Sequence, residues 1–174
     1  DRYETSLKIA KYIDTKLYNI ESIVISNGLG EADAMSIAAV SGRDKMPIIL
    51  SEVNKLNDDI YDWLKSQSLK NAYIIGGEGV VSNNVLNSIN QITSLDISKN
   101  RLGGTDRYDT NAKVIKAFYG ANLNKVYASK GIELVDALTA GPIAALSGGV
   151  VVLCDNDLSN TQKNVLSPKT ANSI

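Results

Sequence analysis

The chain has 174 residues and a formal net charge of −1, and hydrophobic residues make up 44% of the sequence. This composition indicates a globular chain with a buried core, and the near-neutral charge argues against a chain-wide cationic surface for nucleic acid. The absence of histidine excludes histidine-based catalytic triads and histidine metal sites.

The first half of the chain alternates helical and strand patterns. Apolar spacing predicts a helix within 4–18 that starts at Thr5 or Ser6, and a short strand over 22–26. After a glycine turn, a helix rich in small residues follows and is expected to end at Gly42. Further elements are expected in this order: a strand over 46–50, a helix over 57–67 capped by Asn57, a strand over 71–77, a helix over 82–92 capped by Ser82, and a strand over 94–98.

The strands are near-continuous apolar runs rather than alternating ones. Such runs are typical of strands with helices on both faces, so the sequence predicts an α/β fold with a mostly parallel sheet and right-handed crossovers. No apolar run is long enough to span a bilayer. The single cysteine, Cys154, cannot form an internal disulfide and is expected to be a buried, inert thiol.

An internal repeat organises the whole chain. The opening "DRYET" recurs as "DRYDT" from Asp106, and the alignment continues until Asp33 matches Asp136 and Ile48–Leu50 matches Val151–Leu153. We therefore expect a first repeat over 1–100, without a leading "RLGG" segment, and a second repeat over 101–174, without the final third.

The segment "IIGGEGVVS" over 74–82 is close to a dinucleotide-binding loop, because it follows a strand and precedes a helix. Glu78 lies where a pyrophosphate would bind, and no basic residue supports the loop. A tight turn with positive φ at glycine is the favoured interpretation.

Two matched acids, Asp33 and Asp136, fall in the first turns of matched helices, where a carboxylate is stabilised by the helix dipole. With Glu31 and Glu133 nearby, a magnesium site is conceivable only if carboxylates from other strands converge there. A structural role is therefore the favoured interpretation, and no cofactor is expected.

The repeated Arg-Tyr pair carries the strongest functional signal. One interpretation is a structural staple between repeats, in which each guanidinium pairs with a carboxylate such as Asp1 or Asp106. The other is recognition of an anionic sugar polymer, with arginine on the anion and tyrosine on a sugar face. The candidate polymer-binding residues are Arg2, Tyr3, Arg43, Arg101, Arg107 and Tyr108, of which Arg43 has Leu146 as its counterpart and is not part of the repeat.

The segments "RLGGTDRYDTNAKVI", "VYASKGIELVDALTAGPIAAL", "VVVL" and "NAYIIGGEGVVSNNV" together resemble the cell-wall-binding type 2 repeat of clostridial surface-layer and cell-wall proteins. The resemblance covers nearly the whole chain. It implies open α/β units, Rossmann-like or Toprim-like, that usually occur in threes and pack as a pseudo-symmetric array.

The resemblance also implies a non-catalytic anchoring module at the cell wall. Its partners would be an anionic wall glycopolymer and adjacent repeats, and any enzyme activity would belong to another region of the parent protein. Two alternatives remain open from the sequence: a magnesium-dependent or nucleotide-binding enzyme domain, and a module that only packs neighbouring repeats.

Overall fold

The computed structural model describes residues 1–173, and every strand pair within them is parallel. The helices are α1 (Arg2–Lys16), α2 (Glu31–Arg43), α3 (Asp58–Lys65), α4 (Asn83–Thr93), α5 (Arg107–Phe118), α6 (Val135–Ser147) and α7 (Asn160–Leu166). The strands are β1 (Ser22–Asn27), β2 (Ile48–Ser51), β3 (Asn71–Ile75), β4 (Arg101–Leu102), β5 (Asn122–Leu123), β6 (Val126–Lys130), β7 (Val150–Cys154) and β8 (Thr170–Ala171). None of these helices is long and apolar enough to cross a membrane.

The chain divides into two compact units, and the division does not follow the order of the sequence. Unit 1 contains Asp1–Gly30 and Lys45–Leu102, and unit 2 contains Glu31–Asp44 and the chain from Gly103 onward. Helix α2 therefore belongs to unit 2, although its sequence lies within the first predicted repeat. The repeat limits 1–100 and 101–174 describe sequence similarity and stay a prediction.

Unit 1 is built on a four-stranded parallel sheet in the order β2-β1-β3-β4. Helix α1 packs against β2 and α3, and α3 packs against α4. Strand β1 has five consecutive buried residues, as expected for a central strand covered on both faces. The predicted α/β class and the parallel sheet are confirmed.

Unit 2 repeats the first part of this plan. Strands β6 and β7 pair in parallel, and Tyr127 lies opposite Val151 as Val24 lies opposite Ile48 in unit 1. Helix α5 packs against β7 and α7, while α6 packs against β6 and β7. Helix α2 completes the unit by packing against α6, α5 and β7.

Small residues allow α2 and α6 to approach closely. A Cβ added to Gly42 would lie 2.8 Å from the Ala145 Cβ, and one added to Gly141 would lie 3.3 Å from the Ala38 Cβ. Backbones that approach this closely leave no room for larger side chains. The predicted helix end at Gly42 is wrong, because α2 continues to Arg43 and uses Gly42 for this contact.

Aspartates begin the two repeated helices. The Asp1 side chain accepts a hydrogen bond from the Glu4 N–H, and the Asp106 side chain accepts one from the Asp109 N–H. Each is a helix N-cap, a position that aspartate favours because its carboxylate satisfies a free N–H group. Helix α1 therefore starts at Arg2 and not at Thr5 or Ser6.

The predicted strand over 94–98 is also wrong, because this segment forms a turn. Ser94 ends α4 in the left-handed region with φ 56°, and the Asp96 side chain accepts a hydrogen bond from the Ser98 N–H. Ile97 is apolar because its side chain packs in the hydrophobic core of unit 1, where it is 1% exposed. The strand that pairs with β3 comes later, at Arg101–Leu102.

Cys154 is half-buried, whereas the sequence suggested full burial. It is the last residue of β7 and lines a groove of about 460 Å³ in unit 2, together with apolar residues such as Val126 and Leu166. The groove lies beside β6, which pairs only with β7 among residues 1–173, whereas its counterpart β1 pairs on both sides.

A buried polar cluster fixes β7 in unit 2. The Asn111 side chain donates to the Val151 carbonyl at 3.0 Å and accepts from the Leu153 N–H at 3.1 Å. Gln162 donates to both Asn111 and the Leu153 carbonyl. In unit 1 the equivalent of Asn111 is Ser6, whose hydroxyl accepts from the Leu50 N–H.

Replacement of Asn111 by leucine tests this cluster. The change leaves the Leu153 N–H buried without its partner and removes one of the two acceptors of the Gln162 amide, so the free energy of unfolding should fall by about 2–4 kcal/mol. Urea unfolding followed by circular dichroism measures the change. The matched control Asn156→Leu is at an exposed position and should alter stability by no more than about 0.5 kcal/mol. Equal effects of the two variants would contradict the assignment.

Candidate functional site

The Arg-Tyr pair of unit 1 lies against the loop that follows β1. The Arg2 guanidinium donates to the Gly28 carbonyl at 2.6 Å. The Tyr3 ring packs so closely on Gly28 that an added Cβ would lie 2.5 Å from its Cε1 atom. Glycine is required here because the ring occupies the space of a side chain.

Unit 2 repeats this arrangement with equivalent residues. The Arg107 guanidinium donates to the Gly131 carbonyl, and the Tyr108 ring lies 2.5 Å from the position of a Cβ on Gly131. The Tyr108 hydroxyl also donates to the Asp155 carboxylate, a bond that raises the pKa of Tyr108 to about 12. We call each Arg-Tyr-Gly arrangement a cradle.

Each cradle lies at the carboxyl ends of parallel strands, the edge where α/β sheets bind ligands. In unit 1 a concavity of about 280 Å³ opens there. Its lining residues are Tyr3, Asn27, Leu29, Glu52, Val53 and Asn54. Aromatic, amide and carboxylate groups together can contact both the faces and the hydroxyls of a sugar.

Within residues 1–173, neither Asp1 nor Asp106 forms an ion pair with a cradle arginine. Asp1 and Asp106 cap their helices, and Arg2 and Arg107 donate to main-chain carbonyls instead. The predicted pairing of guanidinium with these aspartates is therefore wrong. The observed contacts lie within one unit each, so they fix the loop after the first strand of that unit.

Arg101 binds the glycine-rich loop of unit 1, so the expectation that no basic residue supports this loop is wrong. Its guanidinium donates to the Gly76 carbonyl at 3.1 Å, the Val81 carbonyl at 2.7 Å and the Asn83 side chain at 3.1 Å. Burial lowers the pKa of Arg101, although Glu78 opposes this effect. Gly76 has a φ of 118°, so the interpretation of the loop as a tight glycine turn is confirmed.

Arg43 is engaged within unit 2. It forms a bidentate ion pair with Asp44, and its guanidinium lies 4.9 Å from the centre of the Tyr119 ring. Burial raises the pKa of Tyr119 to about 12, because its effect is larger than that of the neighbouring Arg43 charge, which lowers this pKa. With its charge paired and its face stacked, Arg43 has little capacity left for a further anion.

The two matched acids occupy different environments. Burial raises the pKa of Asp33, while the Thr110 hydroxyl and the Arg107 charge act in the opposite direction. Its counterpart Asp136 is exposed in the first turn of α6. Within residues 1–173, no group of three or more histidine, cysteine or acidic side chains converges as a metal site would require.

The sequence signature of the family described as "Cell wall binding domain 2 (CWB2)" matches residues 1–86 and 101–173. The fold and the repeated cradle therefore define a tandem α/β repeat, and the chain belongs to this family of cell wall binding domains.

Two solved structures and two characterised proteins show the likeness. Cwp6 from Clostridium difficile matches 99% of this chain with a TM-score of 0.95 and 40% identity, and Cwp8 from the same organism matches 100% with a TM-score of 0.81 and 36% identity. The N-acetylmuramoyl-L-alanine amidase LytC of Bacillus subtilis is 35% identical over 92% of this chain, and the amidase enhancer of that organism is 27% identical over 90%.

The chain spans less than a third of each of these proteins. It covers 27% of Cwp6, 30% of Cwp8, 31% of LytC and 20% of the amidase enhancer. The family membership therefore describes the binding domain, and the rest of each relative lies outside the matched region.

Three residues of the cradles were not singled out from the sequence: Gly28, Gly131 and Asp155. Gly28 and Gly131 occupy equivalent places after the first strand of each repeat, so their alignment carried a usable signal. Asp155 is separated from Tyr108 by 47 positions, and no local pattern connects the two.

Substitution of Gly131 by alanine tests the cradle of unit 2. The new Cβ displaces the Tyr108 ring and breaks its bond to Asp155, so the pKa of Tyr108 should fall from about 12 towards its ordinary value of 10.0. A titration followed by NMR of the tyrosine rings measures it. Gly120→Ala is the control, because nothing lies within 4 Å of its added Cβ. An unchanged Tyr108 pKa in the Gly131 variant would contradict the cradle.

Asp33→Asn tests the burial of that carboxyl. Because the folded-state pKa of Asp33 lies above 3.8, its contribution to stability is present at acidic pH and is lost as the pH rises through the raised value. The variant should therefore be at least as stable as the wild type at pH 7, and this advantage should shrink on acidification. Denaturant unfolding at several pH values measures both, with the exposed Asp136→Asn as control. If Asp33→Asn instead lowered stability at neutral pH, and by more as the pH rose, the expected direction of the effect would be contradicted.

Proposed function

We propose that the two cradles bind an anionic glycopolymer of the cell wall and so anchor the parent protein non-covalently at the cell surface. The family membership supports a cell wall ligand. The single observation that carries the finer proposal is the repeated pairing of an exposed arginine with a tyrosine at the carboxyl edge of each unit.

The arginines differ in their capacity to bind an anion. A guanidinium has five N–H donors, and the cradle contact with the glycine carbonyl leaves most of those of Arg2 and Arg107 available. Arg101 uses its donors on three groups of unit 1, and Arg43 is paired with Asp44. The proposal therefore rests on Arg2 and Arg107.

The neighbouring side chains suit the sugar part of such a polymer. Tyr3 and Tyr108 each lie beside an acid, Glu52 in unit 1 and Asp155 in unit 2. Carboxylates accept hydrogen bonds from sugar hydroxyls but repel phosphate or carboxylate groups. We infer that the anionic groups of the polymer contact arginine, and that neutral hydroxyls contact the acids.

The rest of the parent protein is also a matter for proposal. The matched region is 31% of LytC, so we propose that this chain is not itself catalytic and that any enzyme activity belongs to another region. We further propose that adjacent repeats, three in total, pack together in the parent protein.

The two alternatives differ in their support. No observation among residues 1–173 supports a magnesium or nucleotide site. The acids there do not cluster, and Arg101 donates hydrogen bonds to the carbonyls of the glycine-rich loop. A purely structural role for the Arg-Tyr pair is favoured by its contacts with Gly28 and Gly131. A measurement of polymer binding distinguishes this structural role from the proposed role in binding.

The double variant Arg2→Gln/Arg107→Gln tests the proposal, because glutamine keeps an amide donor for the glycine carbonyl but loses the charge. A hydrogen bond to a charged group contributes about 1.5–3 kcal/mol, so we expect polymer affinity to fall by about tenfold or more per arginine. Calorimetry with purified wall polymer measures the affinity. Added salt should weaken wild-type binding, because ions screen exposed charges.

The matched control is Lys8→Gln/Lys113→Gln, which removes the same charge from equivalent exposed positions of α1 and α5. Its affinity should stay close to that of the wild type. Binding that is insensitive to salt and equal in both double variants would overturn the charge-based mechanism.

A further inference from the structure

The concavity at the carboxyl edge of unit 1 is bounded by two loops that hydrogen bonds hold in place. The buried Asn27 side chain donates to the Val80 carbonyl at 2.6 Å and accepts from the Leu29 N–H at 2.6 Å, which fixes the loop after β1. The Ser82 N–H donates to the Val53 carbonyl at 2.7 Å and fixes the loop after β2. A ligand that enters the concavity therefore meets ordered walls, which reduces the entropic cost of binding.

These walls combine apolar and polar side chains. Leu29 is 73% exposed and Val53 is 38% exposed, so both present methyl groups to solvent. Glu52 and Asn54 supply the polar part of the wall. The Glu52 carboxylate lies 3.6 Å from the Lys55 ammonium, an exposed ion pair that leaves acceptor capacity for a ligand. An apolar surface thus lies next to an amide and a carboxylate.

The equivalent wall of unit 2 has a different chemistry. Asn156 takes the place of Val53, so unit 2 has one apolar side chain fewer at this position. Asp155, the equivalent of Glu52, already accepts the hydrogen bond from the Tyr108 hydroxyl. The two cradles therefore differ in the neutral groups that they are able to bind.

We propose that the concavity of unit 1 is a subsite for an N-acetylated hexosamine, a neutral sugar that carries an acetamido group. Its volume of about 280 Å³ accommodates one sugar ring. The acetamido methyl packs between Leu29 and Val53. The acetamido N–H donates to the Glu52 carboxylate, and the Asn54 amide donates to the acetamido carbonyl. A sugar with hydroxyls alone would place polar groups against both apolar side chains, which is unfavourable.

The subsite rests on the proposed function and refines it. Arg2 donates to the carbonyl of Gly28, the residue before Leu29, so the sugar lies beside the arginine that contacts an anionic group. An N-acetylated hexosamine can come from the anionic wall polymer or from the glycan strands of peptidoglycan. Because the sugar itself is neutral, its binding does not depend on the arginine charges.

Titration of the whole chain with free N-acetylglucosamine and with N-acetylgalactosamine, followed by amide NMR, tests the subsite. The signals of Leu29, Val53 and Asn54 should shift saturably with at least one of the two. Glucose and galactose, which have a hydroxyl in place of the acetamido group, should bind at least about fourfold more weakly, because they bury no methyl group. If the three signals shift with neither N-acetylated sugar, or if the plain sugars bind equally well, the proposal is overturned.

The Val53→Asn variant introduces the residue of unit 2 into the subsite. It should lower the affinity for the N-acetylated sugar by about fourfold and leave the affinity for the plain sugar unchanged. A general loss of structure would reduce both affinities. The matched control is Asn156→Val, which makes the reverse change at an exposed position of unit 2 and should alter neither affinity. Equal binding of the N-acetylated sugar by Val53→Asn and the wild type would contradict the subsite.

Pull-down with purified wall polymer, and with peptidoglycan stripped of that polymer, identifies the source of the sugar. Weaker binding of Val53→Asn to either material supports the subsite and identifies that material as the source, whereas no difference with either material overturns the proposal. The Arg2→Gln/Arg107→Gln variant separates the two proposals, because it should keep the wild-type affinity for the free neutral sugar. Loss of polymer binding in this variant, with unchanged binding by Val53→Asn, would refute the subsite alone.

Discussion

The hydrogen bond from a repeated arginine to the carbonyl of a glycine fixes the edge on which the proposed function depends. In both units it ties the start of a helix to the loop after the first strand, and a tyrosine ring occupies the space where the glycine has no side chain. The bond uses one of several guanidinium donors. The same residue therefore holds the loop in place and keeps charge at the surface, so the structural and binding roles are compatible.

The second constraint is the placement of α2 in unit 2. Its stretch of alanine, serine and glycine allows close contact with α6, while Asp33 engages the N-terminal part of α5. The equivalent faces of α1 and α6 keep apolar side chains exposed, among them Ile9 and Leu146.

Much of the fold could be predicted from the sequence, because the buried positions of helices and strands are apolar at a regular local spacing. The apolar strands identified the parallel sheet, and the echo of "DRYET" identified the repeat. The segment 94–98 failed because Ile97 is apolar as a core plug in a turn, which periodicity cannot distinguish from a short strand. The carbonyl partners of the arginines and the contact of Tyr108 with Asp155 join distant positions, so no local pattern encodes them. The assignment of α2 to unit 2 depends on packing between helices, so it also could not be predicted from local sequence patterns.

The sequence contains four arginines, and we propose that only Arg2 and Arg107 contact the polymer. NMR of the guanidinium nitrogens during titration with purified wall polymer tests this division directly. We predict that the Arg2 and Arg107 signals shift in proportion to bound polymer, while those of Arg43 and Arg101 stay in place. Saturable binding that leaves Arg2 and Arg107 unchanged, or that shifts Arg43 and Arg101 instead, would contradict it.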